Sequence, residues 1–272
     1  MRKLAIVFAL TVATLAAVGQ VPAVSMFPPA RHSGTSYTVL QMNLCLSGRA
    51  GCFPRTDYPS VVHEAAEQVV NNDPEAVTLN EACSGDAADI ARRTGYRMRF
   101  TAVLFRGASL PCVEPGRRGV FGLAVLTKES IMTSQDQAFA IHTGLEERRW
   151  LCVTTASAIS VCTAHLGTRE SAEASRANDA ECAELQGVLA RYDELGTTVF
   201  GGDVNRQRPC APTTMWVRGD TEATQMPGIQ HIYGSTSLDE PSARVTAATY
   251  TDHDFFLMAS RLGPGYATAA GS

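Results

Sequence analysis

Two residues set the chemistry this chain could perform. Asp203 and Asn205 stand two apart, directly after the run Thr198, Val199, Phe200 and the pair Gly201-Gly202. The β-branched and aromatic run predicts a buried strand, and the two glycines predict its end. Residues two apart on an extended backbone point the same way. A carboxylate and an amide aimed together can orient a water molecule or a phosphate oxygen. Further polar groups stand where other apolar runs end: Asn43, Glu81, His165 and the pair Asp252-His253. Such groups at corresponding strand ends point to a cleft along one edge of the core. Glu81 is an oxygen ligand suited to a hard cation such as Mg²⁺, with Mn²⁺ or Ca²⁺ as alternatives. Asp203 can take a proton from water, Asn205 can hold that water or the phosphate, and His165 and His253 can contact phosphate oxygens. Together they could hydrolyse a phosphate ester by electrostatic stabilisation and in-line attack.

The elements that must position these groups can be read from the same chain. Strands are expected over residues 37–44, 76–79, 97–105, 120–127, 150–156, 158–166, 197–200, 229–233 and 255–259. Helices are expected over 58–72, 86–94 and 169–192, with a short one within 211–218 after Pro212. Residues 234–245 read as a loop. Long helices follow strands twice, which predicts a mixed α/β core with sheet buried between layers. The 272 residues, 45% of them hydrophobic, suffice for one domain over 37–260.

Both ends carry further signals. Arg2 and Lys3, the apolar stretch 4–18 and the small residues around Val21-Pro22-Ala23 form the pattern of a secretory signal peptide over 1–23. A flexible leader over 24–36 and a disordered tail over 261–272 complete the expected organisation. The apolar stretch is short for a span, and none later is long enough, so no stable membrane insertion is expected. The expected product is a secreted monomer. Eight cysteines suit an exported chain. They allow roughly a hundred pairings, among which nearest neighbours are Cys45–Cys52, Cys83–Cys112, Cys152–Cys162 and Cys182–Cys210. A tight turn near Ser157 would set Cys152 and Cys162 opposite each other. The net charge of −4 shows no basic excess of the kind that announces nucleic-acid binding, although a local basic cleft would serve.

In their order along the chain these motifs resemble the endonuclease/exonuclease/phosphatase superfamily of the pancreatic deoxyribonuclease type, in a secreted, bacterial-type member. Gln-Met-Asn-Leu at Asn43, Leu-Asn-Glu at Glu81, Thr-Ala-His-Leu at His165, Gly-Gly-Asp-Val-Asn at Asp203 and Asn205, and Thr-Asp-His at Asp252 and His253 carry the likeness. The resemblance implies a four-layer αββα sandwich, with two packed mixed β-sheets flanked by helices. It also implies a divalent metal, with Asn43, Glu81 and Asp252 on the metal side. Asp203 then activates the nucleophile, Asn205 positions substrate and His253 is the catalytic histidine. Gln230 departs from the pattern, standing where a carboxylate normally orients that histidine. Arg148, Arg149 and Gln230 are the further candidates for substrate contact, and an arginine fork suits phosphate. A nuclease is the leading expectation. A phosphatase or sphingomyelinase-like phosphodiesterase uses the same kind of site, and a catalytically degenerate secreted binding or toxin-like protein is the reading of another class.

Overall fold

The computed structural model describes residues 36–263, apart from 143 and 145. The expected signal peptide, the leader before Ser36 and the tail beyond 263 lie outside the described residues. In chain order the elements are β1 (Ser36–Asn43), α1 (Ser60–Asn72), β2 (Ala76–Cys83), α2 (Ser84–Thr94), β3 (Arg97–Ala102), β4 (Leu104–Phe105), β5 (Ala108–Ser109), β6 (Phe121–Thr127), β7 (Ile131–Ala138), β8 (Glu146–Glu147), β9 (Arg149–Thr155) and β10 (Ser160–Ala164). The chain continues through α3 (Ala172–Leu195), β11 (Thr198–Asp203), β12 (Met215–Gly219), β13 (Gln230–Ser235), β14 (Leu238–Thr246) and β15 (Phe255–Leu262).

Twelve of the strands form two six-stranded sheets, ordered β14-β15-β1-β2-β6-β3 and β12-β13-β11-β10-β9-β7, and the short strands β5-β4-β8 form a small third one. Both six-stranded sheets mix parallel and antiparallel pairs. Successive side chains of a strand face opposite sides, and this alternation builds three apolar layers. Leu40, Met42, Val77 and Leu79 pack under α1 and α2, against Val61, Ala65, Val69 and Ile90. Cys162, Ala164, Phe200 and Tyr233 pack with Leu185, Val188 and Leu189 of α3. The intervening positions Val39, Val153, Val161, Val199 and Ile232 meet between the sheets. Three apolar layers separate four structural ones, so the expected αββα sandwich is the observed architecture.

Toward one end, the alternating positions that face between the sheets turn polar. Val39 gives way to Gln41 and Asn43, Ala76 to Thr78 and Asn80, Val161 to Thr163 and His165, and Val199 to Gly201 and Asp203. The amides form a ladder: Gln41 Nε2 donates to Asn80 Oδ1 on the neighbouring strand at 2.8 Å, and Asn80 Nδ2 donates across the gap to Thr163 Oγ1 at 3.1 Å. The Asp203 N–H donates to Asn80 Oδ1 at 2.7 Å. Buried polar groups persist only when bonded in this way, and this ladder is the floor of the cleft described below.

Several sequence expectations are corrected. Strand β11 does not end at Gly201-Gly202 but runs on to Asp203. The glycines serve close approach: a Cβ at Gly201 would strike Thr78 Oγ1 of the facing sheet, and one at Gly202 the Ala164 carbonyl. No helix follows Pro212. Met215 and Val217 pack toward α3, and β12 pairs with β13 instead. The segment read as a loop holds β14, and the tail joins the sheet as far as Leu262 because β15 pairs with β14. β7 was not foreseen, since an edge strand with one solvated face has no continuous apolar run. The four nearest-neighbour disulfides are all present, with Cys152 and Cys162 directly opposite across β9 and β10. Among the described residues, no helix is long and apolar enough to cross a membrane.

Candidate active site

Asn43, Glu81, His165, Asp203, Asn205, Asp252 and His253 converge at the polar end of the sandwich. Glu81, His165, Asp203, Asn205, Asp252 and His253 line a cleft of about 630 Å³. Asn43, fully buried, joins two carboxylates: its Nδ2 donates to Glu81 Oε1 at 3.2 Å and to Asp203 Oδ2 at 3.0 Å. Strict alternation would send Glu81 to the helix side of β2, since its neighbour Asn80 faces between the sheets. A β-bulge prevents this. The register with β6 shifts between Leu79 and Ala82, and Glu81 adopts φ +51°. One extra residue in the left-handed region re-aims a side chain.

Protonation states follow from the surroundings. Burial pushes the Glu81 carboxyl up to about 7, against the pull of Arg148 and His253. Burial also raises Asp203, but the His253 and His165 rings and the Asn43 amide outweigh it and hold Asp203 well below the usual carboxylate range. Burial lowers His253, yet contacts with Asp203 and Asp252 prevail and raise it to about 10. His253 is therefore an imidazolium at neutral pH. Its Nδ1 donates to Asp252 Oδ1 at 2.9 Å. Its Nε2 is buried and lies 3.2 Å from Asp203 Oδ2, an ion-pair contact.

His165 is the opposite case. Burial, and then the Arg148 charge, lower it to about 3, so the ring is neutral. Arg148 Nη1 sits 2.7 Å from Nδ1. A guanidinium only donates, and its charged contact at 2.7 Å outweighs the neutral amide donor Asn205 Nδ2, which lies 3.1 Å from Nε2, so Nδ1 accepts and the ring proton is on Nε2. Nε2 faces the cleft, 3.7 Å from Glu81 Oε1 and 3.9 Å from Asp203 Oδ2. Asn205, at φ +52°, donates from Nδ2 to the Leu166 carbonyl at 2.9 Å, and its own N–H binds Asp203 Oδ1 at 2.9 Å.

Of the three further candidates for substrate contact, only Arg148 reaches the cleft, held by Glu146 at 3.3 Å. Arg149 turns away to Asp136 and Glu147. Gln230 is fully buried in the floor and does not touch His253. Its Nε2 donates to the Asp254 carbonyl at 2.7 Å and to Asp220 Oδ2 at 3.2 Å. Asp252 supplies the carboxylate that holds the histidine. Sequence reasoning missed Arg49, Phe105, Leu110 and Met226, which also line the cleft. Arg49, Leu110 and Met226 lie in connecting segments, and Phe105 ends the two-residue strand β4, where spacing carries no signal.

The residues fit a hard divalent cation. Glu81, Asp203 and Asp252 offer carboxylate oxygens, and the buried Glu81 and Asp203 share one amide between them. Burial is what raises the Glu81 carboxyl, and a cation beside it would offset that cost of desolvation. Glu81, with Asn43 beside it, is the residue that could hold such an ion. Oδ1 of Asp252 is already committed to His253.

Comparison with solved structures follows the same lines. An endonuclease/exonuclease/phosphatase from Beutenbergia cavernae superposes with TM-score 0.62 at 17% identity, over 84% of this chain and 72% of that one. The chain has the endonuclease/exonuclease/phosphatase fold. The same fold is shared with the human Nocturnin catalytic domain, solved with a bound sulfate anion (TM-score 0.60, 13% identity, 83% of this chain, 93% of that one). It is also shared with D. rerio TDP2 complexed with a single-strand DNA product (TM-score 0.57, 14% identity, 84% and 99%). No protein-family model and no curated protein matches the sequence.

Proposed function

We propose that the protein is a secreted, divalent-cation-dependent hydrolase of phosphodiester bonds, with nucleic acid as its substrate. The observation that carries this reading is the anionic Asp203 beside the cationic His253, with Glu81 and two amides in the same cleft. Asp203, fixed by Asn43 and by the Asn205 N–H, takes a proton from the attacking water. His253 Nε2 and His165 Nε2 donate to the phosphate oxygens as charge builds there. Arg148 adds a fixed positive charge at the wall. A cation bound at Glu81 would supply further neutralisation of that charge. The fold shared with a structure of TDP2 holding single-strand DNA product supports a nucleic acid over other esters.

The test is purified protein with Mg²⁺, Mn²⁺ or EDTA against plasmid DNA, RNA, sphingomyelin and small phosphate esters. DNA or RNA cleavage is expected, abolished by EDTA and reduced about 10²–10⁴-fold by Asp203→Ala. Turnover of sphingomyelin or small esters alone selects the phosphodiesterase or phosphatase reading. Silence across the panel, with the fold intact, selects the degenerate binding protein.

A further inference from the structure

The disulfide between Cys45 and Cys52, at the edge of the cleft, has no part in the hydrolytic reading. Cys45 Sγ, Cys52 Sγ and a carboxylate oxygen of Asp252 lie within 4.8 Å of one another. Glu81 Oε2 is 3.7 Å from Cys52 Sγ. While Cys45 and Cys52 are joined, their sulfurs are neutral and poor ligands. Reduced, they would be two thiolates beside two carboxylates. That set suits Zn²⁺, which takes sulfur and oxygen tetrahedrally, and does not suit Mg²⁺.

Accessibility singles out this disulfide. Thiol exchange needs a thiolate to reach a sulfur. Cys45, Cys83, Cys112, Cys152, Cys162, Cys182 and Cys210 are all buried. Cys52 alone is half-buried, and it lines the cleft. The pair is also only 7 residues apart. Cys45 is tethered between buried Leu44 and Leu46, with its N–H bound to Asn43 Oδ1 at 3.2 Å. The opened thiols therefore stay close together.

We propose that Cys45 and Cys52 form a redox-gated zinc site, closed as a disulfide and, once reduced by a dithiol, binding Zn²⁺ with Asp252. The dithiol attacks Cys52 Sγ and Cys45 leaves; the second thiol of the reagent then displaces Cys52. The reagent's own S–S bond forms as the protein's breaks, and two electrons and two protons pass to the cysteines. Zinc binding releases those two protons to solvent. The ion engages Asp252 and lies against Glu81, so the reduced protein is inhibited by zinc. That last consequence rests on the proposed hydrolase reading, whereas zinc binding itself does not.

The experiment is limited reduction of the native protein with a neutral dithiol, followed by alkylation mapping of the freed cysteines. The reductant is then removed, and Zn²⁺ and Co²⁺ titrations follow. Cys45 and Cys52 should be alkylated first. The reduced chain should bind one Zn²⁺, and Co²⁺ should give the near-ultraviolet sulfur-to-metal band that only thiolate ligation produces. Asp252→Asn should weaken zinc by about tenfold or more. Reduced protein capped at both thiols, and the C45A/C52A variant, should show neither signal. The capped protein serves alone if that variant does not fold. Zinc uptake equal to the capped control, or earlier opening of another disulfide, overturns the proposal. Because neither titration measures turnover, an inactive result in the substrate panel leaves this test standing.

Discussion

His231 should make the protein acid-sensitive in a calculable way. The ring is buried on the α3 side of β13, between two groups that fix its tautomer. Its Nε2 lies 3.2 Å from the Gly228 carbonyl, which only accepts, so Nε2 carries the proton. Its Nδ1 then accepts from the Tyr233 hydroxyl at 2.7 Å, and that hydroxyl accepts from the Cys210 N–H at 2.9 Å. A second proton on the ring would set two donors against each other. Burial lowers the group from 6.5 to about 4. A base with a lowered folded value binds its proton more readily when unfolded. Its contribution to stability is therefore complete above pH 6.5 and is lost as pH falls toward 4. A gap of about 2.5 units amounts to about 2 kcal/mol lost by pH 5 and about 3 kcal/mol by pH 4. Other buried groups titrate in this range, so the informative quantity is the difference from His231→Gln, which cannot gain the proton. Near pH 8 the variant should be less stable by about 1–3 kcal/mol, because the Tyr233 hydroxyl loses its acceptor. By about pH 4 the gap should shift toward the variant by about 3 kcal/mol. Urea unfolding in EDTA, followed by the fluorescence of Trp150 and Trp216, reads both numbers. A gap constant across pH would refute the reasoning.

Three further outcomes follow from the cleft and its floor. Gly201→Ala drives a methyl group into Thr78 and should cost about 1–3 kcal/mol in urea unfolding, with activity falling as the facing sheets are pushed apart. Glu81→Gln removes a buried charge; its melting temperature in EDTA should exceed that of the parent, while the stabilisation added by Mg²⁺ should disappear. Arg148→Leu frees His165 Nδ1 and leaves Asn205 Nδ2 donating toward Nε2, so ¹⁵N resonances of the ring should shift to the Nδ1–H form; Arg148→Lys, which keeps a donor, should restore the Nε2–H form.

Alternation explains both what the sequence disclosed and what it hid. Residues two apart on β1, β2, β10 and β11 pass from apolar to polar, which is why polar groups standing where apolar runs end pointed to Asn43, His165 and Asp203. It also explains Arg148 and Arg149: neighbours on an extended chain face opposite ways, so only one of them could enter the cleft. Pattern failed where backbone geometry departs from the period. Glu81 was named from its place at the end of an apolar run, but the bulge that aims it leaves no compositional trace. Gly201-Gly202 suggested a turn because the same residue permits both a turn and a close approach, and only the facing Thr78 distinguishes them. Gln230 was read against a pattern of relatives, whereas its partners Asp220 and Asp254 are set by packing across the sheets.

The irregularity in β2 carries a cost that a regular strand would avoid. Shortening the chain by one residue between Asn80 and Ala82 would let the pairing with β6 close without interruption and would relieve a backbone angle that only glycine adopts freely. The resulting protein would hold together better and would lack the Glu81 carboxylate in the cleft. Tolerance of a local defect, rather than any catalytic side chain alone, is what gives this sandwich an inside corner where work can be done.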